Sequence, residues 1–324
     1  MKADLSLLSL PRFSQPEGWN WQKFRSSSGH TIRFGSVFPK VDAKAVIICL
    51  PGFREFGEKY FELAHDMLSR DYAFFVIDWL GQGGSDHLLE DRHKVHSLGF
   101  DQNISDLDQL IRDHIRPHSP DLSGIFLGHS MGGHIGLRYL HDRQNVFIKA
   151  AAFSAPLINI IQFASYPSWL IKSFCAALQF KGSDYIPGGA TVADLKRAVG
   201  PGEGDYSSDP LRDQVHYLWY DKSADLQVKG PTYAWLYQMV RSCAVLHSRD
   251  YLEKIETPVL IGVAGQDKIV SSASTRKLSS RLPNGEILEL SAAKHEILME
   301  KDEIRNSFLS AFDNFIQKHV PLPV

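Results

Sequence analysis

Short apolar runs recur along the chain and predict the strands of a sheet. An early pair, Phe24-Arg25 and Ile32-Arg33-Phe34, flanks a turn rich in serine and glycine and predicts an antiparallel hairpin. Six later runs also have the length of strands: Ala45–Leu50, Ala73–Trp79, Leu122–Leu127, Phe147–Phe153, Val259–Ala264 and Glu286–Leu290. The first five of these are nearly unbroken, which indicates that both faces of those strands are buried.

Apolar positions at helical spacing lie between most of these strands. In residues 100–115, for example, Phe100, Ile104 and Leu107 share one face. The predicted helices are Tyr60–Ser69, Phe100–Ile115, Met131–Arg143, Ala273–Arg281 and Ile304–Lys318. Strands that alternate with helices predict an α/β fold with a mostly parallel, doubly wound sheet, and such folds bind their ligands at the carboxyl ends of the strands.

The alternation stops between roughly residues 157 and 254, where aromatic residues and prolines are frequent. We therefore predict a core built from residues 1–156 and 255–324, interrupted by an insertion at 157–254. The first part of this insertion is apolar, but Pro167 and Lys172 interrupt it, so it is not a membrane span. We interpret the insertion as a cap over the catalytic edge of the sheet; an ordinary helical subdomain is the alternative.

Composition narrows the class of protein. The 324 residues are 44% hydrophobic and 22% charged, as in ordinary soluble globular proteins. The formal net charge of −2 and the lack of a basic stripe argue against nucleic acid as a partner. Three widely spaced cysteines favour reduced thiols in a cytoplasmic protein and do not have metal-ligand spacing, and the N-terminal patch Leu5–Leu10 is too short and too interrupted to predict a signal peptide.

The run Gly128-His129-Ser130-Met131-Gly132 has the G-x-S-x-G pattern of a nucleophile elbow. It follows a predicted strand and opens a predicted helix, which is the context that the pattern requires. In such an elbow the serine adopts a strained backbone conformation that exposes its hydroxyl, and the flanking glycines avoid a collision in the tight turn. Ser130 is therefore the predicted nucleophile.

A serine hydroxyl needs a base, and the base needs an acid that orients it. Elbow enzymes supply them in the chain order Ser, Asp or Glu, His. Asp267 follows the predicted strand Val259–Ala264, and His295 follows the next predicted strand, so we predict a Ser130–His295–Asp267 triad. Glu296 is a weaker candidate for the acid, because a residue adjacent to His295 in sequence aligns poorly with its imidazole.

The reaction also needs N–H donors for the developing oxyanion. One predicted donor is the backbone N–H of Met131, directly after the nucleophile. The other is the backbone N–H of Phe53, in the loop after Ala45–Leu50.

A second glycine-rich segment, 78–85, suggests a dinucleotide site at first sight. The fingerprint fails because Asp86 stands where the third glycine belongs and no helix follows at once. We interpret this segment as a tight turn at a strand end, beneath the active edge.

These motifs together resemble the lysophospholipase and monoacylglycerol lipase branch of the α/β-hydrolase fold. The matching segments are Pro51-Gly52-Phe53-Arg54-Glu55, Lys59-Tyr60, Asp78 with Gly81, Gly83 and Ser85, Gly128–Gly132, Asp267, Lys294–Leu298 and Gly230–Trp235. The resemblance implies hydrolysis of fatty-acyl esters without a metal or organic cofactor, on a small-molecule or lipid substrate and with transient contact to lipid surfaces. One departure is Phe56, which stands where many relatives have a histidine, so a contact specific for monoglycerides does not carry over.

Two questions stay open at this stage. Four aromatic residues of the insertion, namely Trp169, Phe174, Tyr233 and Trp235, are predicted either to bind the acyl chain or to pack in the protein's own core. The family also contains serine aminopeptidases. An acidic cluster formed by Glu203, Asp205 and Asp209 could bind a substrate amino group, so an aminopeptidase that uses the same triad is an alternative function. An acyltransferase is a further alternative. A catalytically inactive binding protein is disfavoured because all three triad residues are present. The sequence leaves the oligomeric state open.

Overall fold

A computed structural model describes residues 4–191 and 201–322 of the chain. The described residues form these strands: β1 (Asn20–Arg25), β2 (Thr31–Val37), β3 (Ala45–Leu50), β4 (Tyr72–Ile77), β5 (Lys94–Val95), β6 (Gly124–His129), β7 (Ile148–Ser154), β8 (Gly230–Pro231), β9 (Val259–Ala264) and β10 (Gly285–Leu290). Eight of them make one sheet in the order β1-β2-β4-β3-β6-β7-β9-β10. The pairs from β4 to β10 are parallel, and β1 and β2 form the predicted antiparallel hairpin.

Helices fill most of the connections between these strands. They are α1 (Phe61–Leu68), α2 (Phe100–Leu110), α3 (Met131–Arg143), α4 (Ser168–Ala177), α5 (Arg212–Lys222), α6 (Tyr233–Leu246), α7 (Ser272–Ser279) and α8 (Asp302–His319). The five helices expected from the apolar spacing are confirmed, with one difference. The predicted helix 100–115 is α-helical only to Leu110 and then continues as a wider π-helical turn, Ile111–Ile115, ahead of Pro117, whose ring does not fit a helix interior.

The predicted buried strands have helices on both of their faces. Every residue of β3, β4 and β6 is buried, as the unbroken apolar runs predicted. Phe153 of β7 faces α3, where its ring limits the space beside Gly136. Gly262 of β9 is in register with Ser154 and faces Phe308 of α8. Because successive strand residues point to opposite faces, α3 and α8 cover opposite sides of the sheet.

Register brings the loops of the predicted site to one edge of the sheet. Leu50 at the end of β3 lies opposite Gly128 of β6, and His129 lies opposite Ser154 at the end of β7. The loop after β3, the G-x-S-x-G turn and the loop after β7 therefore leave the sheet side by side.

The segment between β7 and β9 contains α4, α5, α6 and the two-residue strand β8. Strand β8 pairs in parallel with β5, an isolated contact that the sequence pattern did not predict, because two residues are too few to show a periodicity. The division of the chain at 157–254 stays a prediction. Within the described ranges, every helix is too short or too polar to cross a membrane.

Candidate active site

Ser130 lies at a sharp turn between β6 and α3. Its backbone has φ 49° and ψ −113°, an unfavourable conformation for a residue with a side chain. Two hydrogen bonds hold it there: the Ser130 N–H donates to the Ser154 carbonyl (3.0 Å), and the Leu157 N–H donates to the Ser130 carbonyl (2.9 Å). The turn is thus fixed by the end of β7 and the residues after it.

The two glycines of the motif are required to different degrees. A Cβ on Gly132 would lie 1.9 Å from the carbonyl oxygen of Leu50, a backbone atom that has no room to move away. A Cβ on Gly128 would lie 3.0 Å from the Phe153 ring and 3.1 Å from the Gly133 nitrogen, which is tight but less severe. The strict constraint at Gly132 therefore comes from the close approach of the loop after β3, and not from the turn itself.

A chain of hydrogen bonds joins the three predicted triad residues. His295 Nε2 lies 3.0 Å from Ser130 Oγ, and His295 Nδ1 lies 2.7 Å from Asp267 Oδ2. A carboxylate only accepts, so Nδ1–H donates to Asp267, and Nε2 is left to accept from the serine hydroxyl. Ser130, His295 and the Asp267 side chain are all buried, with only 7% of Ser130 exposed.

The surroundings of Asp267 favour its charged form. Burial alone would raise the pKa of this carboxyl, but the His295 imidazole and the backbone N–H groups of Val270 and Ile269 outweigh it and hold the pKa below its usual value. The two N–H groups donate to Oδ1 at 2.9 and 2.8 Å, which leaves Oδ2 for the histidine. Asp267 is therefore an ionised and firmly oriented partner for His295.

The alternative residues have other partners. Glu296 forms an ion pair with Lys59 at 2.8 Å, whereas the His295 ring bonds to Asp267. His129, inside the motif, has its Nδ1 near the Ser154 hydroxyl at 3.1 Å, and burial lowers its pKa to about 4. A neutral, buried His129 packs with its ring centroid 4.8 Å from that of His295 and supports the base sterically.

The loop after β3 is held by side chains from the glycine-rich segment 78–85. The Gln82 amide donates to the carbonyls of Gly52 (2.9 Å) and Glu55 (2.8 Å), and its oxygen accepts from the Arg54 N–H (3.0 Å). The Trp79 indole donates to the Pro51 carbonyl at 2.8 Å. Sequence reasoning missed Gln82, because no pattern marks a side chain that hydrogen-bonds the backbone of a distant segment.

A compact group of buried charges lies beneath this loop. The Lys59 ammonium bridges Glu55 (2.6 Å) and Glu296 (2.8 Å), and Tyr60 donates to Glu55 as well. Burial alone would raise the pKa of the Glu55 carboxyl. The Lys59 charge and these hydrogen bonds outweigh burial and lower this pKa to about 2. Glu55 also accepts from the Gly52 N–H, so the cluster anchors the loop.

The same cluster contains three residues of the kinds that bind metal ions. Three possible ligand atoms lie within 4.8 Å of one another, one each from Glu55, His129 and Glu296. The Lys59 ammonium already occupies the position between the two carboxylates, where a cation would be held. These residues fit a structural ion pair better than a metal centre.

The four predicted substrate residues fall in different environments. Trp235 of α6 is buried, and its ring centroid lies 4.2 Å from that of Phe53 in the loop after β3. Tyr233, the first residue of α6, is half-buried. Trp169 and Phe174 of α4 are 68% and 62% exposed. Only Trp235 among the four is thus seen in contact with a predicted oxyanion-hole residue.

Comparison with known proteins identifies the family of this chain. Residues 41–302 match the model of the family described as serine aminopeptidase, S33. Lysophospholipase L2 of Escherichia coli K12 is 28% identical over 299 residues, covering 89% of this chain and 84% of the relative. Mouse monoglyceride lipase is 25% identical over 288 residues, covering 87% and 85%.

A solved structure gives the same result for the fold. A soluble variant of monoglyceride lipase from Saccharomyces cerevisiae, in complex with a substrate analog, superposes with a TM-score of 0.71 at 20% identity and covers 95% of this chain and 97% of that one. The α/β-hydrolase fold expected from the sequence is confirmed. The chain belongs to the serine aminopeptidase S33 family and is a serine hydrolase of the lysophospholipase and monoglyceride lipase type.

Proposed function

We propose that this protein hydrolyses carboxylic esters of fatty acids, of the lysophospholipid or monoacylglycerol kind. The observation that carries the proposal is the continuous chain of hydrogen bonds from Ser130 through His295 to Asp267, at 3.0 and 2.7 Å. The names of the relatives, lysophospholipase and monoglyceride lipase, support the choice of an acyl ester as substrate.

In the proposed mechanism Ser130 Oγ attacks the ester carbonyl while His295 Nε2 takes the hydroxyl proton. Asp267 stabilises the imidazolium that forms and keeps its ring in place. His295 then gives the proton to the leaving alcohol, and the acyl group stays on Ser130. Water, deprotonated by His295, attacks this acyl-enzyme and releases the fatty acid, after which the proton returns to Ser130.

The oxyanion is proposed to bind the backbone N–H groups of Met131 and Phe53. Met131 is the first residue of α3, so its N–H has no acceptor within the helix. The loop that carries Phe53 is fixed on both sides, by Gln82 and by Glu55. A preorganised donor of this kind contributes about 10²- to 10³-fold to kcat.

Part of the acyl chain is proposed to lie along Trp235 and Tyr233 at the start of α6. Trp235 packs against Phe53, so an apolar surface begins directly beside the proposed oxyanion donor. Each methylene buried there would contribute about 0.8 kcal/mol.

The surface around α4 is proposed to contact lipid. Six large apolar side chains between residues 161 and 180 are exposed: Ile161, Tyr166, Trp169, Leu170, Phe174 and Phe180. The only charged residues from 157 to 183 are Lys172 and Lys181. Exposed aromatic residues with lysines and no acids are typical of segments that lie in the interface of an anionic membrane.

Aminopeptidase activity has weaker support, despite the name of the family. Such an enzyme needs carboxylates free to bind a substrate amine, but Asp205 pairs with Lys268 at 2.9 Å and Asp209 with Arg212 at 3.2 Å. Glu203 is exposed. Two of the three acids are therefore already paired with basic side chains of the protein itself.

A panel of substrates tests the proposal. It should contain p-nitrophenyl esters of graded chain length, a monoacylglycerol, a lysophospholipid and an aminoacyl amide, each with the wild type and Ser130→Ala. We expect ester hydrolysis that requires Ser130 and rises with chain length. Preference for the amide would contradict the proposed substrate class while leaving the nucleophile intact.

A further inference from the structure

Arg54 is a buried cation whose hydrogen-bonding capacity is mostly unused. Only 2% of the residue is exposed. Nη2 donates to the Val228 carbonyl at 3.2 Å, but Nε and Nη1 have no hydrogen-bond partner among residues 4–191 and 201–322. No carboxylate of these residues forms an ion pair with Arg54, and the acids of the adjacent cluster, Glu55 and Glu296, are held by Lys59. A buried guanidinium in this state costs stability.

The backbone of Arg54 carries a second cost. The Glu55 N–H donates to the Gly52 carbonyl at 3.4 Å, so residues 52–55 form a β-turn with Arg54 in its third position. Arg54 has φ 65° there, a conformation for which glycine or asparagine is favoured. Arg54 therefore destabilises the folded protein in two ways, through its buried charge and through its backbone conformation. Such destabilising features are typical of functional sites.

The position of Arg54 connects it to the reacting centre. It directly follows Phe53, the proposed oxyanion donor, and its own carbonyl accepts from the Tyr220 hydroxyl at 3.3 Å. Its charge also reaches Tyr206: burial raises the pKa of that phenol to about 12, and Arg54 acts in the opposite direction. The Tyr206 ring centroid lies 6.3 Å from that of His295, so the phenol that interacts with the Arg54 charge lies next to the proposed base.

Lysophospholipids and monoacylglycerols both contain the ester bond that the proposed reaction cleaves. They differ in the group that lies next to this bond. In a lysophospholipid one glycerol unit separates the ester from a phosphate, whereas a monoacylglycerol has only hydroxyl groups there. The N–H groups of a guanidinium match phosphate oxygens in charge and geometry. We propose that Arg54 binds the phosphate of a lysophospholipid head group and makes the enzyme selective for lysophospholipids over monoacylglycerols, an inference that rests on the ester hydrolase function proposed above.

The test compares kcat/KM for a lysophosphatidylcholine and a monoacylglycerol with the same acyl chain. Arg54→Met, which keeps an unbranched apolar stem and removes the charge, should lower the ratio of the lysophospholipid value to the monoacylglycerol value about 10- to 100-fold. Arg54→Lys should retain most of the preference. Glycerophosphocholine should inhibit the wild type more strongly than Arg54→Met, and glycerol should not distinguish them.

A loss of folding is separable from a loss of recognition. Arg54→Gly relieves the turn and removes the buried charge, so we expect its Tm to equal or exceed that of the wild type while its head-group preference is lost. An equal loss on both lipids, or an unchanged ratio between them, would overturn the role of Arg54 in recognition. If the wild type cleaves neither lipid but cleaves an aminoacyl amide, the ester hydrolase proposal itself fails.

Discussion

The edge of the sheet and the surface of α4 hold their side chains in opposite environments. At the sheet edge, Ser130 and His295 are 93% and 96% buried, and hydrogen bonds at 2.7 and 3.0 Å fix their positions. Around α4, by contrast, Trp169 and Phe174 project into solvent with more than half of their surface exposed. In the proposed function, the hydrogen-bonded region at the sheet edge performs the chemistry, and the separate apolar surface around α4 contacts lipid.

The largest effect on kcat should come from a substitution in the hydrogen-bonded site at the sheet edge. Asp267→Asn keeps the size of the side chain but replaces the charged acceptor of His295 Nδ1 with an amide, which favours the wrong tautomer of the ring. We expect kcat for a p-nitrophenyl ester to fall about 10⁴-fold, with little change in the circular dichroism spectrum. Glu296→Gln, which changes the neighbouring acid that pairs with Lys59, is the matched control and should cost far less. Similar losses in the two variants would show that the acid has been assigned to the wrong residue.

A smaller effect is expected at the support of the oxyanion loop. Gln82→Leu removes three hydrogen bonds to the backbone of residues 52–55. A shift of the loop by about 1 Å lowers catalysis by about 10²-fold, so kcat should fall about 10- to 100-fold with KM nearly unchanged. Gln109→Leu removes two bonds of the same kind, to the backbone of Ser27 and Arg25 in the β1–β2 hairpin, and should leave kcat intact. A change in KM alone would place Gln82 in substrate binding.

The exposed surface should affect activity only where lipid is present. Trp169→Ala with Phe174→Ala removes two large side chains from α4 and should reduce hydrolysis of a substrate carried in anionic vesicles several-fold, by about 1 kcal/mol or more of lost binding. Hydrolysis of a short, water-soluble p-nitrophenyl ester should not change. Phe38→Ala, at a half-exposed aromatic residue outside this segment, is the control. Equal losses on both substrates would make Trp169 and Phe174 part of the catalytic site instead.

The smallest effect concerns the contact of α3 with Leu157 and α6, and it is measured as a change in stability. His134 of α3 donates from Nδ1 to the Leu157 carbonyl (2.7 Å) and accepts at Nε2 from the Ser242 hydroxyl of α6 (2.6 Å). Burial lowers its pKa to about 3, so the unfolded chain binds one more proton than the folded protein below about pH 6.5. The contribution of neutral His134 to the free energy of unfolding is complete above that pH. It is lost as the pH falls, at up to about 1.4 kcal/mol per pH unit.

His134→Gln does not titrate, so its free energy of unfolding should fall less steeply than that of the wild type between pH 6.5 and 4. Denaturant titrations at several pH values measure both slopes, and the absolute stability at pH 7 serves as the reference. Parallel slopes would mean that His134 is already protonated in the folded protein.

The same contrast explains what could be predicted from the sequence. The strands of the main sheet and the candidate residues Ser130, Asp267 and His295 could be predicted from apolar runs and from motifs at strand ends, which are local signals. The two-residue strands β5 and β8 could not. The roles of Gln82 and Lys59 depend on contacts between segments distant in the chain, and no local pattern encodes them. The exposure of Trp169 and Phe174 was not predictable either, because an apolar residue at helical spacing has the same pattern whether it faces a core or solvent.

Labelling with a fluorophosphonate tests the central claim most directly, because this reagent modifies only an activated serine. The labelled peptide is identified by mass spectrometry in the wild type, Ser130→Ala and Asp267→Asn. We predict modification at Ser130 in the wild type, none in Ser130→Ala and much slower modification in Asp267→Asn. Equal labelling of the wild type and Ser130→Ala would contradict the assignment of Ser130 as the nucleophile.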